Sequence, residues 1–436
     1  MKLRFFFAGC FILACSLFPF AQTAPDTEDE SNGEDTPYDE LAVLTRAIQL
    51  IRQDYYDEKK TNFKELAYSA LRGMLQDLDP HSQFMAPSDF EEMQDDTNSA
   101  FGGLGLVVST RDGTLTIVTP MEDTPGSRAG ILPGDQILKI NGESTEKLDL
   151  VQAIKQLRGE PGTKLNLTIV RPSTREIKDY MLTREIIKVP SVTDAHVLEG
   201  PAAEGFPIGY VRITQFNKPT ADELDQALSK LEKEGIQALI LDVRYNPGGL
   251  LDSARDVCGL FLPVNELVVY TKGRTPSQDK SYRTLDQGRS RRKYPLAILA
   301  NGGSASGAEI VAGALKDLQR AVVVGETTFG KGSVQSVIQL PDGSAMRLTT
   351  ARYFTPSKQV IHEKGVTPTI RATLTPDQER LLQFQRREEA LTEKEKAELA
   401  NFRDTQLERA TDALKGMLIA TARASDTKKA APAKKP

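Results

Sequence analysis

Cysteine, histidine and tryptophan are scarce in this chain of 436 residues, which holds three, three and none. Two of the cysteines, Cys10 and Cys15, lie in the first apolar stretch and leave Cys258 alone downstream. That excludes a disulfide framework and a Cys-rich zinc site. His81, His196 and His362 are too scattered for a ligand pair of the HExxH kind, so metal catalysis is disfavoured and no cofactor is expected. No run of 18 apolar residues follows the N-terminus, which excludes a polytopic membrane protein. Nor is there a basic excess: 55 Lys and Arg against 60 Asp and Glu leave a net charge of −5, without the positive field that nucleic-acid binding draws on. What is present, 39% hydrophobic and 26% charged residues, is ordinary for a globular chain, and roughly 150 residues per domain gives about three domains.

The first 24 residues read as an export leader, with Lys2 and Arg4 ahead of an apolar run, Phe5 to Phe18, too short to span a bilayer comfortably. Export places the protein in the bacterial periplasm or cell envelope. Ile12-Leu13-Ala14-Cys15 resembles a lipobox, which would make Cys15 a lipid-modified N-terminus; the equal alternative is that Cys10 and Cys15 merely fill the apolar run. Loss of Lys2 and Arg4 with the leader takes the charge from −5 to −7.

Residues 25–40 form an acidic, solvated linker without an apolar period. In 41–98 the apolar residues Leu44, Ile48, Ile51 and Tyr55, then Leu66, Ala70, Leu71 and Met74, recur at three and four, the mark of helix. Residues 99–185 change to short strand-like runs broken by Gly and Pro, with one helical piece at Leu150 to Leu157. From 186 to 370 strands and helices alternate: Ile208–Ile213, Thr220–Glu234, Ala238–Val243, Ser253–Phe261, Leu296–Ala300, Gly307–Leu318 and Ala321–Val324. Such alternation predicts an α/β core with parallel strands. Thr375-Pro376 with Gln378 starts a helical region over 371–423, and 424–436 is a basic, Ala/Pro-rich tail expected to be disordered.

Ligands of open α/β sheets bind beyond the carboxyl ends of the strands. Two Gly-rich turns fall there, RYNPGG at 244–249 and NGGSASG at 301–307. Ser306 and Glu309 fit a capping box at the start of the following helix, and as a lone residue Ser306 is by default only a cap. The same place also offers free N–H groups and partial positive charge, which favour an alkoxide and an oxyanion. A third Gly-rich stretch, GETTFGKGSVQS at 325–336, supplies Lys331 and Gln335. It nearly spells a phosphate-binding P-loop, but Gly332 replaces the hydroxyl residue after the lysine and the following segment is strand-like, so a nucleotide site is disfavoured.

Seven motifs then fall in one order: LDPHS at 78–82, FGGLGLVV at 101–108, AGILPGDQILKINGE at 129–143, LRGEPGT at 157–163, DVRYNPGG at 242–249, NGGSASGAEIVAGAL at 301–315 and GKGSVQ at 330–335. Over about 40–370 the chain resembles the C-terminal processing, or tail-specific, proteases, PDZ-containing serine peptidases. The resemblance implies an α/β protease core with a crotonase-like parallel sheet, a β-rich PDZ domain and helical N- and C-terminal regions. It implies Ser306 as nucleophile, Lys331 as general base, Gln335 as the residue orienting that lysine, and Gly248 and Gly307 as oxyanion donors. Ser304 fits the same motif two residues earlier, and only the resemblance prefers Ser306. In the PDZ domain Gly103, Leu104, Gly105 and Leu106 match the loop that captures a terminal carboxylate, and Arg158 is a candidate for coupling that domain to the active site. Pro125-Gly126 departs from the family's usual Pro-Ala and leaves contacts there open.

For Lys331 to accept a proton its pKa must fall from the ordinary lysine range toward neutrality, which burial can supply. On a straight strand Lys331 and Gln335 would lie about 13 Å apart, so their contact requires a bend or bulge. Glu326 is close enough in sequence to matter if it points inward. Two competing functions are an inactive peptide-binding scaffold and a Ser–His hydrolase using His362. The expected partners are protein and peptide substrates with exposed C-termini, an activating adaptor protein, and further copies of the chain. A stripe of Phe402, Leu407, Ala410, Leu414 and Leu418 suits either a seam between copies or packing on the core of the same chain.

Overall fold

The structure is a computed structural model that describes residues 37–430 except 112, 200–202, 204 and 387–391, with side chains as far as 423. The leader with Cys10 and Cys15, most of the acidic linker, and 431–436 lie outside the described residues. The chain divides into two compact units, 1–67 and 68–436.

In the first unit α1 (Tyr38–Asp54) opens before Leu41, because Asp39 and Glu40 favour the first turn of a helix. None of its residues is buried, and Leu41, Val43 and Ile51 are 53%, 66% and 44% exposed. Its apolar face is therefore bare.

α2 (Phe63–Gln76) crosses into the second unit, where Tyr68 and Leu75 pack on Phe84 of β1 (Gln83–Met85). α3 (Pro87–Asn98) follows. The helical period ends before β1 at the LDPHS turn, within a stretch, 78–90, whose sequence is itself turn-rich. There the Asp79 carboxylate accepts from the N–H groups of His81 and Ser82 at 2.7 and 2.9 Å and from Ser82 Oγ at 2.7 Å. A carboxylate that satisfies its own following backbone competes with helix.

The β-rich module contains β2 (Ala100–Gly103), β3 (Leu106–Arg111), β4 (Thr114–Pro120), α4 (Pro125–Arg128), β5 (Gln136–Ile140), β6 (Glu143–Ser144), α5 (Leu150–Leu157), β7 (Lys164–Arg171), β8 (Glu176–Thr183) and β9 (Glu185–Lys188). An antiparallel sheet runs β3-β4-β5-β7-β8, with β6 on β5, while β2 pairs with β9 beside it. Ile117, Ile137 and Leu167 fill its core.

The α/β core then follows: β10 (Val192–Val197), β11 (Ile208–Ile213), α6 (Thr220–Lys233), β12 (Ala238–Asp242), α7 (Leu251–Gly259), β13 (Leu267–Gly273), β14 (Lys280–Arg283), β15 (Leu296–Ala300), α8 (Gly307–Asp317), β16 (Val322–Gly325), β17 (Ser333–Gln339), β18 (Ala345–Phe354) and β19 (Ile370–Arg371). The central sheet runs β10-β11-β12-β15-β16-β19, parallel from β11 to β19 with β10 antiparallel at the edge. Strands β12 and β15 are buried at every residue, as parallel strands covered on both faces must be. One face, with Val211, Leu241 and Ile298, packs under α6, α7 and α8. A second sheet carries β17 along β18, with β1 and β13 on the opposite edge of β18.

The C-terminal region is α9 (Pro376–Gln385), α10 (Glu393–Ala400) and α11 (Thr405–Ala430). α11 covers the other face of the central sheet: Ala410 and Leu414 are fully buried against Ile208, Ile240, Ala297 and Leu299, with Leu407 and Leu418 beside them. The stripe thus lies on its own core, and the alternative of a seam between copies is not how these side chains are used. Helix also persists to Ala430, seven residues into the tail expected to be disordered from 424. Alanine and lysine have high helix propensity, and a helix already anchored propagates cheaply.

Candidate active site

β15 ends in the turn Asn301–Ser306, and α8 starts at Gly307. The turn separates its two serines. Ser304 is wholly buried; its hydroxyl donates to Val243 O at 2.7 Å and accepts from the Asn301 N–H at 3.0 Å. Ser306 stands at φ 52°, ψ −112°, a conformation that costs a non-glycine residue about 1–3 kcal/mol, and its hydroxyl makes no capping bond. Strain of this kind at a strand-to-helix turn holds a hydroxyl out of the backbone network, where it can attack.

Glu309 holds the strain in place. It is the one charged residue in GAEIVAGAL and it is fully buried. Oε2 accepts from the N–H groups of Ser306 and Lys331 at 2.9 and 2.8 Å; Oε1 accepts from Thr328 Oγ1 and the Gly330 N–H at 2.5 and 2.7 Å. Burial raises its pKa, against the pull of these donors.

Lys331 sits between Gly330 and Gly332, ahead of β17. Gly332 has to be glycine, because a Cβ there would stand 2.4 Å from the His362 backbone nitrogen. The Lys331 carbonyl accepts from the Tyr353 hydroxyl, whose pKa burial pushes far above the ordinary value and which also lies against Ser306. The ammonium makes no hydrogen bond or ion pair among the described residues. Burial, then Arg347, lowers its pKa, while Asp79 and Glu309 act the other way. Glu326 does not: its carboxylate turns to the Leu374 N–H at 3.2 Å.

Gly248 and Gly307 stand as close as backbone allows, since a Cβ on Gly248 would lie 2.5 Å from Ser306 Cβ and 2.8 Å from Gly307 N. The expected pairing of their N–H groups needs one correction. The Gly248 N–H is engaged by Asn246 Oδ1 at 2.8 Å, an Asx turn to the second residue on, and Asn246 Nδ2 is itself fixed to Ile213 O at 2.9 Å. The N–H groups of Gly249 and Gly307 have no partner among the described residues, and Gly249 N lies 3.5 Å from where a Gly307 Cβ would stand.

The Gln335 amide bonds Ser333 Oγ at 2.8 Å and Thr349 Oγ1 at 3.3 Å rather than Lys331. The bulge that could have joined them falls between Val334 and Gln335, not at the glycines. His362 makes no hydrogen bond to Ser306; its Nε2 lies 3.8 Å from Glu363 and its Nδ1 is buried without a partner. The Ser–His arrangement is therefore not formed.

Comparison with known proteins decides the family. Peptidase family S41 matches residues 207–372 and a PDZ domain matches 116–171. A carboxy-terminal-processing protease of Bartonella bacilliformis is 39% identical over 376 residues, 85% of this chain and 82% of that protein. The chain belongs to peptidase family S41. A carboxy-terminal processing protease of Bacillus subtilis is 34% identical over 360 residues, covering 82% of this chain and 72% of its own length. The photosystem II D1 C-terminal processing protease superposes with a TM-score of 0.44 at 29% identity, over 77% of this chain and 93% of its own. This S41 chain is a serine-type peptidase with a PDZ domain.

In the PDZ domain a cavity of about 190 Å³ lies between β3 and α5, lined by Gly103 to Leu106 together with Ile154 and Arg158. Gly126 is explained by its neighbour: a Cβ there would come within 2.4 Å of the Leu106 side chain, which occupies the space an alanine would need. Arg158 caps α5, lies 4.4 Å over the Phe101 ring and reaches Glu92 at 3.4 Å.

Sequence reasoning missed the roles of four residues. Tyr353 gave no signal, being one aromatic in a strand. Glu309 had one, a lone charge in an apolar helix, which the capping-box reading absorbed. Asp242 and Arg244, within the quoted DVRYNPGG, form a buried strut. Asp242 accepts Arg244 at 2.7 Å, Tyr210 Oη at 2.7 Å, and Arg386; although burial alone would raise its pKa, the two guanidinium groups hold it far below the ordinary range. Arg244 in turn reaches Asp404 at 2.8 Å and Gln406 at 3.0 Å, tying the turn before Gly248 to the start of α11.

Proposed function

We propose that this peptidase is exported, captures the C-terminal tails of protein substrates in its PDZ groove and cleaves them with a Ser306–Lys331 pair. The observation that carries the reading is the common anchor of Ser306 and Lys331 on Glu309, with a strained hydroxyl at one end and an unpaired, half-buried amine at the other. Neutral Lys331 takes the Ser306 proton as Oγ attacks the scissile carbonyl carbon. The oxyanion receives the Gly307 and Gly249 N–H groups, strengthened by the N-terminus of α8. The lysine ammonium then protonates the leaving amine, and water, giving its proton to Lys331, hydrolyses the acyl-enzyme. Gln335 braces β17 against β18 beside the base, and a crotonase-like wrapping of the parallel sheet supports both turns.

The leader supports a periplasmic or envelope location, and mass spectrometry of the mature N-terminus decides between a lipid on Cys15 and a soluble form. Assembly with further copies and activation by an adaptor belong to the same reading. The test is digestion of a model protein with an unstructured apolar C-terminus. Wild type trims it, whereas Ser306→Ala and Lys331→Ala bind without cleaving; equal cleavage by wild type and Ser306→Ala would falsify the assignment.

A further inference from the structure

The loop from Thr214 to Thr220, between β11 and α6, gives no side chain to the chemistry, yet it grips both glycines whose N–H groups are free. The Phe216 N–H donates to Gly248 O at 2.8 Å and Phe216 O accepts from the Leu250 N–H at 2.7 Å, so its backbone clasps Gly249 on either side. No other residue could stand at Gly249, where a Cβ would lie 2.1 Å from Phe216 O. The Phe216 ring is fully buried and meets Gly307, where a Cβ would come within 3.0 Å of Cδ2. Phe216 is thus the spacer between the two sides of the oxyanion site.

One end of this loop is fixed through Thr220, whose hydroxyl accepts the Asn217 N–H at 2.8 Å and pairs with Ser191 Oγ at 2.7 Å. Thr214 is tied at the start of the loop to Ser191 O through its N–H at 2.9 Å, and toward α3 Lys218 donates through its N–H to Thr97 O at 3.0 Å and through Nζ to Asn98 Oδ1 at 2.8 Å, so that at Asn217, next to Phe216, the tie is a side-chain bond of its own. Asn217 Nδ2 donates to Ser99 Oγ at 2.7 Å, and the two residues are only 7% and 6% exposed. Ser99 is held in turn: it ends α3 in the left-handed region, with φ 52°, and its carbonyl accepts from the Val189 N–H at 3.0 Å. Beside Asn217 lies a cavity of about 180 Å³, lined among others by Asp95, Phe101, Arg158 and Gln215. With Lys218 still tied to Thr97 and Asn98, cutting the bond frees the Phe216–Asn217 step alone to shift toward that cavity.

We propose that Asn217 is a positioning residue for the oxyanion hole. Its bond to Ser99 holds Phe216, and through Phe216 the Gly248–Gly249 turn, at the distance from Gly307 that receives the tetrahedral oxygen. The proposal rests on the Ser306–Lys331 reading of the site and adds to it a residue that touches neither substrate nor nucleophile. Donors aimed at a developing charge are sensitive to small displacements, whereas ground-state binding is not. Loss of the bond must therefore fall on kcat.

The test uses full-length Ser99→Ala, Asn217→Ala and the double variant, with kcat and KM on a cleavable tail peptide. Affinity for an uncleavable tail peptide and thermal melting of each variant accompany the kinetics. Each single variant is expected to lose about tenfold or more in kcat, with KM and tail affinity within about twofold of wild type. The double is expected to lose no more than the worse single, because both cut the same bond. Unchanged kcat in both singles, losses that multiply in the double, or a loss lying in KM would overturn the proposal. Should Asn217→Ala fail to fold, Ser99→Ala decides by the same criteria, since the Ser99 hydroxyl makes no other hydrogen bond among the described residues. A wild type that does not cleave, or a Ser306→Ala variant that does, would instead overturn the Ser–Lys reading and leave a different question.

Discussion

Ser306 and Lys331 hang from one oxygen atom: Glu309 Oε2 accepts the backbone N–H of the first at 2.9 Å and of the second at 2.8 Å. The proposed nucleophile and base therefore share an origin, and a shift of α8 carries both.

Glu309→Gln replaces part of that acceptor set with an NH2 that faces donors, leaving buried N–H groups unsatisfied at about 1–3 kcal/mol each. The expected outcome is a fall in kcat of about a hundredfold and a lower melting temperature, with tail-peptide affinity intact. Wild-type turnover in this variant would show that the shared oxygen does not set the geometry.

The two serines of NGGSASG should separate cleanly. Ser306→Ala abolishes turnover and leaves stability nearly unchanged, because the strained hydroxyl makes no capping bond and the Tyr353 hydroxyl beside it keeps its bond to the Lys331 carbonyl. Ser304→Ala orphans the Asn301 N–H and leaves Val243 O with the Asn246 N–H alone, losing about 1–3 kcal/mol in denaturant titration while keeping activity.

Activity should fall on the acid side. In the proposed mechanism Lys331 works as the neutral amine and its pKa is lowered, so catalysis is expected above that pKa and lost as pH drops through it. Arg347 contributes to the lowering by repelling the ammonium form. Arg347→Gln removes the repulsion, raises the Lys331 pKa and moves the acid limb of kcat/KM to higher pH. A limb that stays in place, or moves down, contradicts this assignment of the base.

Gly126→Ala should weaken tail binding. The new Cβ would meet Leu106 at 2.4 Å and Leu104 O at 3.0 Å, pressing on the wall of the PDZ groove. Calorimetry with a tail peptide is expected to read a severalfold weaker Kd; an unchanged Kd places the carboxylate site elsewhere.

The two apolar helices should behave oppositely. Deleting α1, whose apolar residues are exposed, is expected to lower the assembled mass in light scattering without unfolding the chain. Leu414→Ala in α11 is expected to lose about 2–5 kcal/mol of stability with no direct effect on assembly. A mass unaffected by loss of α1 rules that helix out as a seam.

The core was legible because its strands and helices obey local rules. Leu296–Ala300 is an apolar run bounded by turn residues, and Ser306 with Glu309 marks a helix start; both elements lie where periodicity put them. Thr375 caps α9 through Gln378, as its sequence implies. What local rules could not supply was direction in space. Nothing in GAEIVAGAL says that the Glu309 carboxylate reaches Thr328 and Lys331, and nothing in RYNPGG says that Asn246 takes the Gly248 N–H for itself. The stripe on α11 had the right period and no label for which surface it would meet. Such facts depend on contacts between residues far apart in the chain, which periodicity does not encode.

The covering of the central sheet by α11 has a consequence for when the peptidase becomes whole. Ser306 and Lys331 lie mid-chain, but the sheet that carries their turns keeps an uncovered apolar face until Ala410 and Leu414 arrive, and Arg244 waits for Asp404 and Gln406. During synthesis the turns that carry Ser306 and Lys331 exist before the element that steadies them. A chain cut short before α11 would thus carry both side chains of the proposed pair without the frame that aligns them.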